Sequence, residues 1–214
     1  MNSNFESPYI IIGAGGHGAV IADILRKRGY SILGFLDDGV AAGAEILGYK
    51  VLGEISLCKN YPEATFIIGI GDNSIRKKVA QAYPVKYGSA IHPSAIIGSG
   101  SKIGRGSVVM AGSVINSGTV VGEHCIINTR SSLDHDNRVG DFVHVSPGVT
   151  TGGDVVIGEN CHVGIGSVIK NGITICGDVT IGAGAVVVKD IVDNDTYIGV
   201  PAVPMGGKPK LRAL

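Results

Sequence analysis

The sequence predicts two fold classes joined end to end: a small α/β unit of βαβ type at the N-terminus, then an all-β parallel helix of short strands. Three observations carry this. A glycine-rich loop sits between a hydrophobic run and a helical pattern near residue 13; aliphatic residues recur every sixth position from residue 91; and 34 glycines stand against only 5% aromatic residues in a chain of 214. Average glycine usage is about 7%, so an excess of this size points to a repeat that needs tolerant backbone at fixed intervals.

The N-terminal unit reads in order. Ile10–Gly13 is an apolar run of buried-strand type, Ala19–Arg28 a helix, Ile32–Leu36 a second strand and Phe66–Ile70 a third. Ser74–Tyr83 is a second helix behind the cap-like pair Asp72-Asn73. Residues 1–86 form the first domain on this reading and 87–214 the second, with Pro84–Pro93 as the hinge.

GAGGHG, at 13–18, has the spacing of a dinucleotide fingerprint, and Asp37 and Asp38 lie about where its ribose-binding acid belongs. The Rossmann-like unit has room for barely one mononucleotide half before the repeat begins, so NAD is not the expected ligand. A strand, glycine loop and helix N-terminus present backbone N–H groups to any pyrophosphate.

From Ile91 to Val187 every sixth residue is aliphatic except Thr151. The adjacent register, from His92, holds only Met110 and Val188 as large aliphatics, so the period belongs to position and not to composition. Six residues contain three alternations of extended chain, which suits short strands joined by a repeated bend. The fifth place of most hexads is small or β-branched, as at Ser107, Thr119 and Cys125, and the fourth is often Gly, Asn or Asp, which tolerate a bend. Tyr197–Met205 closes the coil before a tail carrying Lys208, Lys210 and Arg212.

Zero net charge gives no argument for nucleic acid or membrane as partner. Met1–Pro8 lacks the basic and apolar regions of a secretory leader, and Cys58, Cys125, Cys161 and Cys176 show no CxxC pairing. Reduced thiols and a cytoplasmic location are expected.

GAGGHG, FLDD, IGIGDNSIRKK, SAIHPSA, the hexads, Asp134-His135-Asp136, His144-Val-Ser and YIGVPA together resemble the bacterial nucleotide-sugar acetyltransferases of the sialic-acid and bacillosamine type. The resemblance covers nearly the whole chain. It implies a left-handed β-helix, a homotrimer with sites between subunits, a nucleotide sugar held by the small domain, and acetyl-CoA as co-substrate with no metal. Carried over, Gly15, Gly16, His17 and Gly71 contact the nucleotide sugar together with Asp37 and Asp38. His135 is the general base, with Asp136 beside it and Gly153 donating to the oxyanion. His144, Gly153, Ile165 and Ala183 line acetyl-CoA. The family often has Glu after the base, so the shorter Asp136 leaves its reach to His135 open.

The residues independently favour that chemistry. Acetyl transfer needs a base with pKa near neutrality, and an adjacent carboxylate can fix its tautomer. With eighteen residues per coil, Ser117, His135, Gly153 and Asn171 form one corner column. His144 and His162 form a column on another side. A zinc site of carbonic-anhydrase type on this fold pairs histidines five residues apart, and no pair among His92, His124, His135, His144 and His162 has that spacing. N-acetylation of a 4-amino-4,6-dideoxysugar is the leading reading; sugar O-acetylation and a non-catalytic nucleotide-binding scaffold remain alternatives.

Overall fold

The computed structural model describes residues 7–206. Residues 1–6, most of the stretch read for a leader, and the tail with Lys208, Lys210 and Arg212 lie outside them.

Strand β1 (Tyr9–Ile12) is buried throughout and pairs in parallel with β2 (Ile32–Leu36) on one side and β5 (Thr65–Ile68) on the other. Helix α1 (Gly16–Lys27) follows β1. It starts three residues before the sequence pattern suggests, because Gly15 is the cap and Gly16-His17-Gly18, poor helix formers, make the first turn. Two strands escaped the sequence reading: β3 (Glu45–Ile46) and β4 (Tyr49–Gly53) form an antiparallel hairpin through Leu47-Gly48, both at positive φ. A leucine at such a position hides the turn from a residue-type rule. The sheet order is β3-β4-β2-β1-β5, and a 3-10 helix over Ile55–Asn60 precedes β5. Helix α2 (Asn73–Ala82) begins where Asp72 accepts the Ile75 amide at 2.8 Å.

The coil is a three-sided prism of parallel two-residue strands, between five and six turns high. One side runs from Ala90–Ile91 to Thr180–Ile181 and is extended by Thr196–Ile198 and Val203–Pro204; the others hold six and five strands. Partners are eighteen residues apart, as in Ile126 to His144 and His144 to His162. Aliphatic first places such as Ile115, Leu133 and Ile169 fill the axis.

Every fourth place from Gly100 to Asp178 and on to Gly184 has positive φ. Eight of these fifteen bends are glycine and four are Asp or Asn, but His124, Arg130 and Phe142 also adopt the left-handed conformation, which costs an ordinary residue roughly 1–2 kcal/mol. Two of the three are explained by docking. His124 and Phe142 stack with ring centroids 5.1 Å apart, and their carbonyls accept from buried Arg76 of α2.

The two parts share a core. Ala90, Val108, Met110 and Ile126 point out of the prism and are buried with Ile21, Leu25 and Phe35 of the N-terminal unit. Met110, an exception in the polar register of the sequence, is therefore explained. The side bearing His144 is partly covered by the chain's own domain.

Candidate active site

Two clusters emerge from the coil, and each depends on the hexad for its geometry. The first is the corner between strands Ser132–Leu133 and Arg138–Val139. His135 occupies it with its side chain 52% exposed, and its Nδ1 lies 2.9 Å from Asp136 Oδ2. The aspartate therefore reaches the imidazole. The His135 pKa is raised by the hydrogen bond to Asp136 first, then by Asp134 and Asp154. A proton held on Nδ1 by Asp136 leaves the Nε2 lone pair free.

Gly153 stands one coil away. A β-carbon there would lie 2.5 Å from both Cε1 and Nε2 of His135, so the imidazole packs flat over the glycine backbone. The Gly153 carbonyl accepts from Gly172, while its N–H has no acceptor among the described residues. An unpartnered donor beside a base is the arrangement that acyl transfer requires.

Below the corner runs a polar seam that the sequence reading did not identify. Asn137, 1% exposed, donates to the Asp134 carbonyl at 2.8 Å and to Thr151 Oγ1 at 2.7 Å, and its Oδ1 accepts the Val155 amide. Thr119 Oγ1 donates to the same Asp134 carbonyl at 2.7 Å. Asn116 Nδ2 and the His135 amide both bond Asp134 Oδ1. Thr151, the break in the aliphatic register, was the available signal: its hydroxyl ties the core to the histidine corner.

The second cluster lies where α2 meets the coil. His144 and His162 stand edge to face with centroids 4.9 Å apart, beside Gly71, Asp72, Asn73 and Ser74 in a groove of about 580 Å³. Asn128 donates to His144 Nε2 at 3.1 Å, which puts the imidazole proton on Nδ1, a buried atom that makes no hydrogen bond of standard geometry among the described residues. His17 Nε2 is likewise buried and unpaired. Burial, then the charges of His162, Arg76 and His17, press the His144 pKa down to about 3, with the Gly71 carbonyl pulling the other way. Burial and Arg76 lower His17 to about 4. These are neutral imidazoles, suited to hydrogen bonding with a polar ligand.

Arg76 holds the junction. It is 1% exposed and donates to the carbonyls of Ile70, Gly71, His124 and Phe142 and to Asn73 Oδ1. Asn73 in turn donates to the carbonyls of Asn160 and Cys161. No sequence rule marks Arg76, which sits in an IRKK run that reads as a solvated helix face.

The remaining predicted residues fall in three places. Gly15 and Gly16 form the α1 N-terminus, and no atom stands within 4 Å of a β-carbon on either. Asp37 accepts the amides of Ala14, Gly39 and Val40 at 2.7, 2.8 and 3.0 Å. Burial alone would raise its pKa, but those three donors prevail and hold it low. Asp38 Oδ1 accepts the Ile55 amide, and both acids line a cavity with Gly53 and Glu54. Ile165 and Ala183 lie on an exposed corner column. The structure thus unites His135, Asp136 and Gly153 at one corner, and Gly71 and His144 in the groove on another side, with buried His17 near enough for its charge to act on His144. Among the described residues no group of three or more His, Cys, Asp or Glu could hold a metal ion, and no helix is long and apolar enough to cross a membrane.

Residues 9–83 match the family model of the PglD N-terminal domain. The GDP-perosamine N-acetyltransferase of Escherichia coli O157:H7 is 31% identical over 159 residues, covering 69% of this chain and 71% of that protein. Two further curated relatives match over 101 residues each, and the chain spans only 20% and 47% of their lengths. Among solved structures, the acetyltransferase domain of PglB from Neisseria gonorrhoeae FA1090 in complex with acetyl coenzyme A is 35% identical, with a TM-score of 0.87 over 94% of this chain and 100% of that one. PerB from Caulobacter crescentus in complex with CoA and GDP-perosamine is 35% identical, with a TM-score of 0.87 over 94% and 98%.

Proposed function

This chain belongs to the nucleotide-sugar N-acetyltransferase family, and we propose on that basis that it moves the acetyl group of acetyl-CoA onto the 4-amino group of a nucleotide-linked 4-amino-4,6-dideoxysugar. The observation that carries the reading is the His135 corner: an exposed imidazole oriented by Asp136 at 2.9 Å and packed against Gly153, whose N–H is free.

In this reading His135 Nε2 takes the proton as the sugar amine attacks the thioester carbonyl. The Gly153 N–H faces the carbonyl oxygen as negative charge builds on it. Asp136 keeps the Nδ1 proton in place and stabilises the imidazolium. The products are the acetylamino sugar and free CoA thiol, with the proton from His135 returned to the sulfur. Direct transfer of this kind needs no covalent enzyme intermediate.

Gly15, Gly16 and His17 receive the pyrophosphate region, supported by the open helix end and the unpaired His17 nitrogen. Asp38 keeps one carboxylate oxygen for the nucleoside, while Asp37 shapes the loop. Gly71 and His144 border the transferred acetyl group, and Ile165 and Ala183 lie along the CoA chain. Acetyl-CoA and nucleotide sugars are soluble metabolites, so the reaction belongs in the cytoplasm.

His135 and His144 lie on different sides of one prism, so a shared site requires a neighbour, and the reading includes a homotrimer. Mixed refolding of His135→Ala with His144→Ala should regain activity above either parent; native mass spectrometry showing mixed trimers without recovery would remove the shared site. The reaction itself is tested by acetyl-CoA consumption against nucleotide-linked amino sugars and their hydroxyl analogues. Turnover only of the hydroxyl sugars would assign O-acetylation, and no turnover with retained nucleotide-sugar binding would assign a scaffold.

A further inference from the structure

The contact between His135 and Asp136 relies on a third residue. At this corner the fourth places of successive coils form the column Gly100, Gly118, Asp136, Asp154 and Gly172. The Asp136 backbone is pinned: φ is +58 and its amide donates to the Ser117 carbonyl at 3.0 Å. With the backbone held there, Asp136 turns its carboxylate toward the preceding coil. Oδ2 meets His135 Nδ1, while Oδ1 enters the space that a β-carbon on Gly118 would fill.

That space is not a general need of the bend. Gly100, in the same column, has a φ of +75 against +74 for Gly118, and its hypothetical β-carbon has the Gly118 nitrogen as nearest neighbour at 3.9 Å. Gly172, also in the column, has nothing within 4 Å. Backbone conformation asks for a tolerant residue at all three, but only at Gly118 does a carboxylate occupy the place of the missing side chain.

We infer that Gly118 is a positioning residue for acetyl transfer: its absent side chain is the notch that lets the Asp136 carboxylate turn onto His135 Nδ1. The inference rests on the reading of His135 as the base only in its kinetic consequence; the geometric claim about Asp136 is independent of it. Three carboxylates act on His135, those of Asp134, Asp136 and Asp154. Asp134 is secured separately by Asn116 and the His135 amide. Loss of the notch should therefore remove the Asp136 contribution and leave the other two.

The test compares Gly118→Ala with Gly100→Ala, which imposes the same backbone demand without reaching Asp136. Gly118→Asn is the second variant, because asparagine already occupies an equivalent bend at Asn160 with φ +58. The direct readout is the His135 imidazole titration by NMR. It should move to lower pH in both Gly118 variants, match Asp136→Asn, stay put in Gly100→Ala, and show no further shift when Gly118→Ala is added to Asp136→Asn. Turnover should fall by about tenfold in the Gly118 variants with the KM for acetyl-CoA little changed, as expected for a group that orients a base. A His135 titration in folded Gly118 variants identical to that of the parent would overturn the inference. A shifted titration with an unmoved acid limb of the rate profile would uphold the notch that turns Asp136 onto His135 but overturn its part in acetyl transfer, and with it His135 as the base.

Discussion

His135 stands at an exposed corner with carboxylates around it and a raised pKa, whereas His144, nine residues later, lies under the N-terminal domain beside a buried arginine with its pKa pressed to about 3. Both come from the same repeat. What separates them is which side of the prism the small domain covers. Desolvation and Arg76 make the groove imidazoles neutral, while Asp136 and the exposed position favour the protonated form of the corner imidazole. The comparison teaches that one repeat can hold a solvent-exposed, titratable imidazole and buried neutral ones if a second domain shields only one of its sides; on the proposed reading these are the proton-transfer site and the binding site.

The largest test of this division is His135→Ala. Turnover should fall by roughly 10²–10⁴ while acetyl-CoA still binds by calorimetry. Retention of more than about a third of the parent rate would end the division of labour.

Arg76→Met attacks the other side. It leaves the carbonyls of Ile70, Gly71, His124 and Phe142 and the Asn73 side chain without their donor. A loss of roughly 2–4 kcal/mol in denaturant unfolding is expected. In the folded variant the His17 and His144 titrations should rise, since Arg76 is among the groups that lower both, while His135 stays where it was. A parallel shift at His135 would break the comparison.

Thr151→Val restores the aliphatic register but removes one of the two acceptors of the buried Asn137 Nδ2, leaving it only the Asp134 carbonyl, and takes the acceptor of the Asp134 amide as well. About 1–3 kcal/mol of destabilisation is expected, the cost of an unsatisfied buried amide. Turnover should fall with it if the seam steadies the Asp134–His135 corner. A variant as stable as the parent would show the seam to be dispensable.

The same division extends to pH. His17, His124 and His144 have folded values of about 4, 4 and 3, below the ordinary 6.5. Between about pH 6.5 and 4 the unfolded chain binds protons that the fold refuses. Stability is therefore complete above that window and declines as pH falls through it, measurable as Tm against pH. His135 has the opposite sign: its raised pKa favours the fold at low pH and loses that contribution as pH rises through the folded value. On the proposed reading its neutral form is the base, so turnover should climb over the same rise. A Tm that is flat from pH 6.5 to 4.5 would contradict the buried state of these three histidines.

Much of the architecture was written in local pattern. The six-residue period located the coil, the fourth-place Gly, Asn and Asp marked its bends, and Asp134-His135-Asp136 with Gly153 one coil on defined the corner. Even the two exceptions, Thr151 and Met110, carried information, one for the polar seam and one for the domain contact. Such features are legible because a hexad prescribes its own backbone, and stacking by eighteen residues then places side chains whatever lies elsewhere.

Only the tertiary structure decided the rest. Arg76 looks like a surface cation, because its partners are carbonyls of coil residues 48 and 66 positions away, and a carbonyl leaves no trace in residue type. His144 and His162 are a column in the sequence, but the groove they line is closed by Gly71–Ser74, which only the docked domain supplies. Asp37 read as a ligand-binding acid and is engaged by three backbone amides. The sequence by itself determined the coil, its register and the histidine corner, since these follow from local backbone preference and period. Burial, and with it the protonation state of every groove histidine, was decided by how the small domain docks, because desolvation depends on what packs against a side chain and not on its neighbours along the chain.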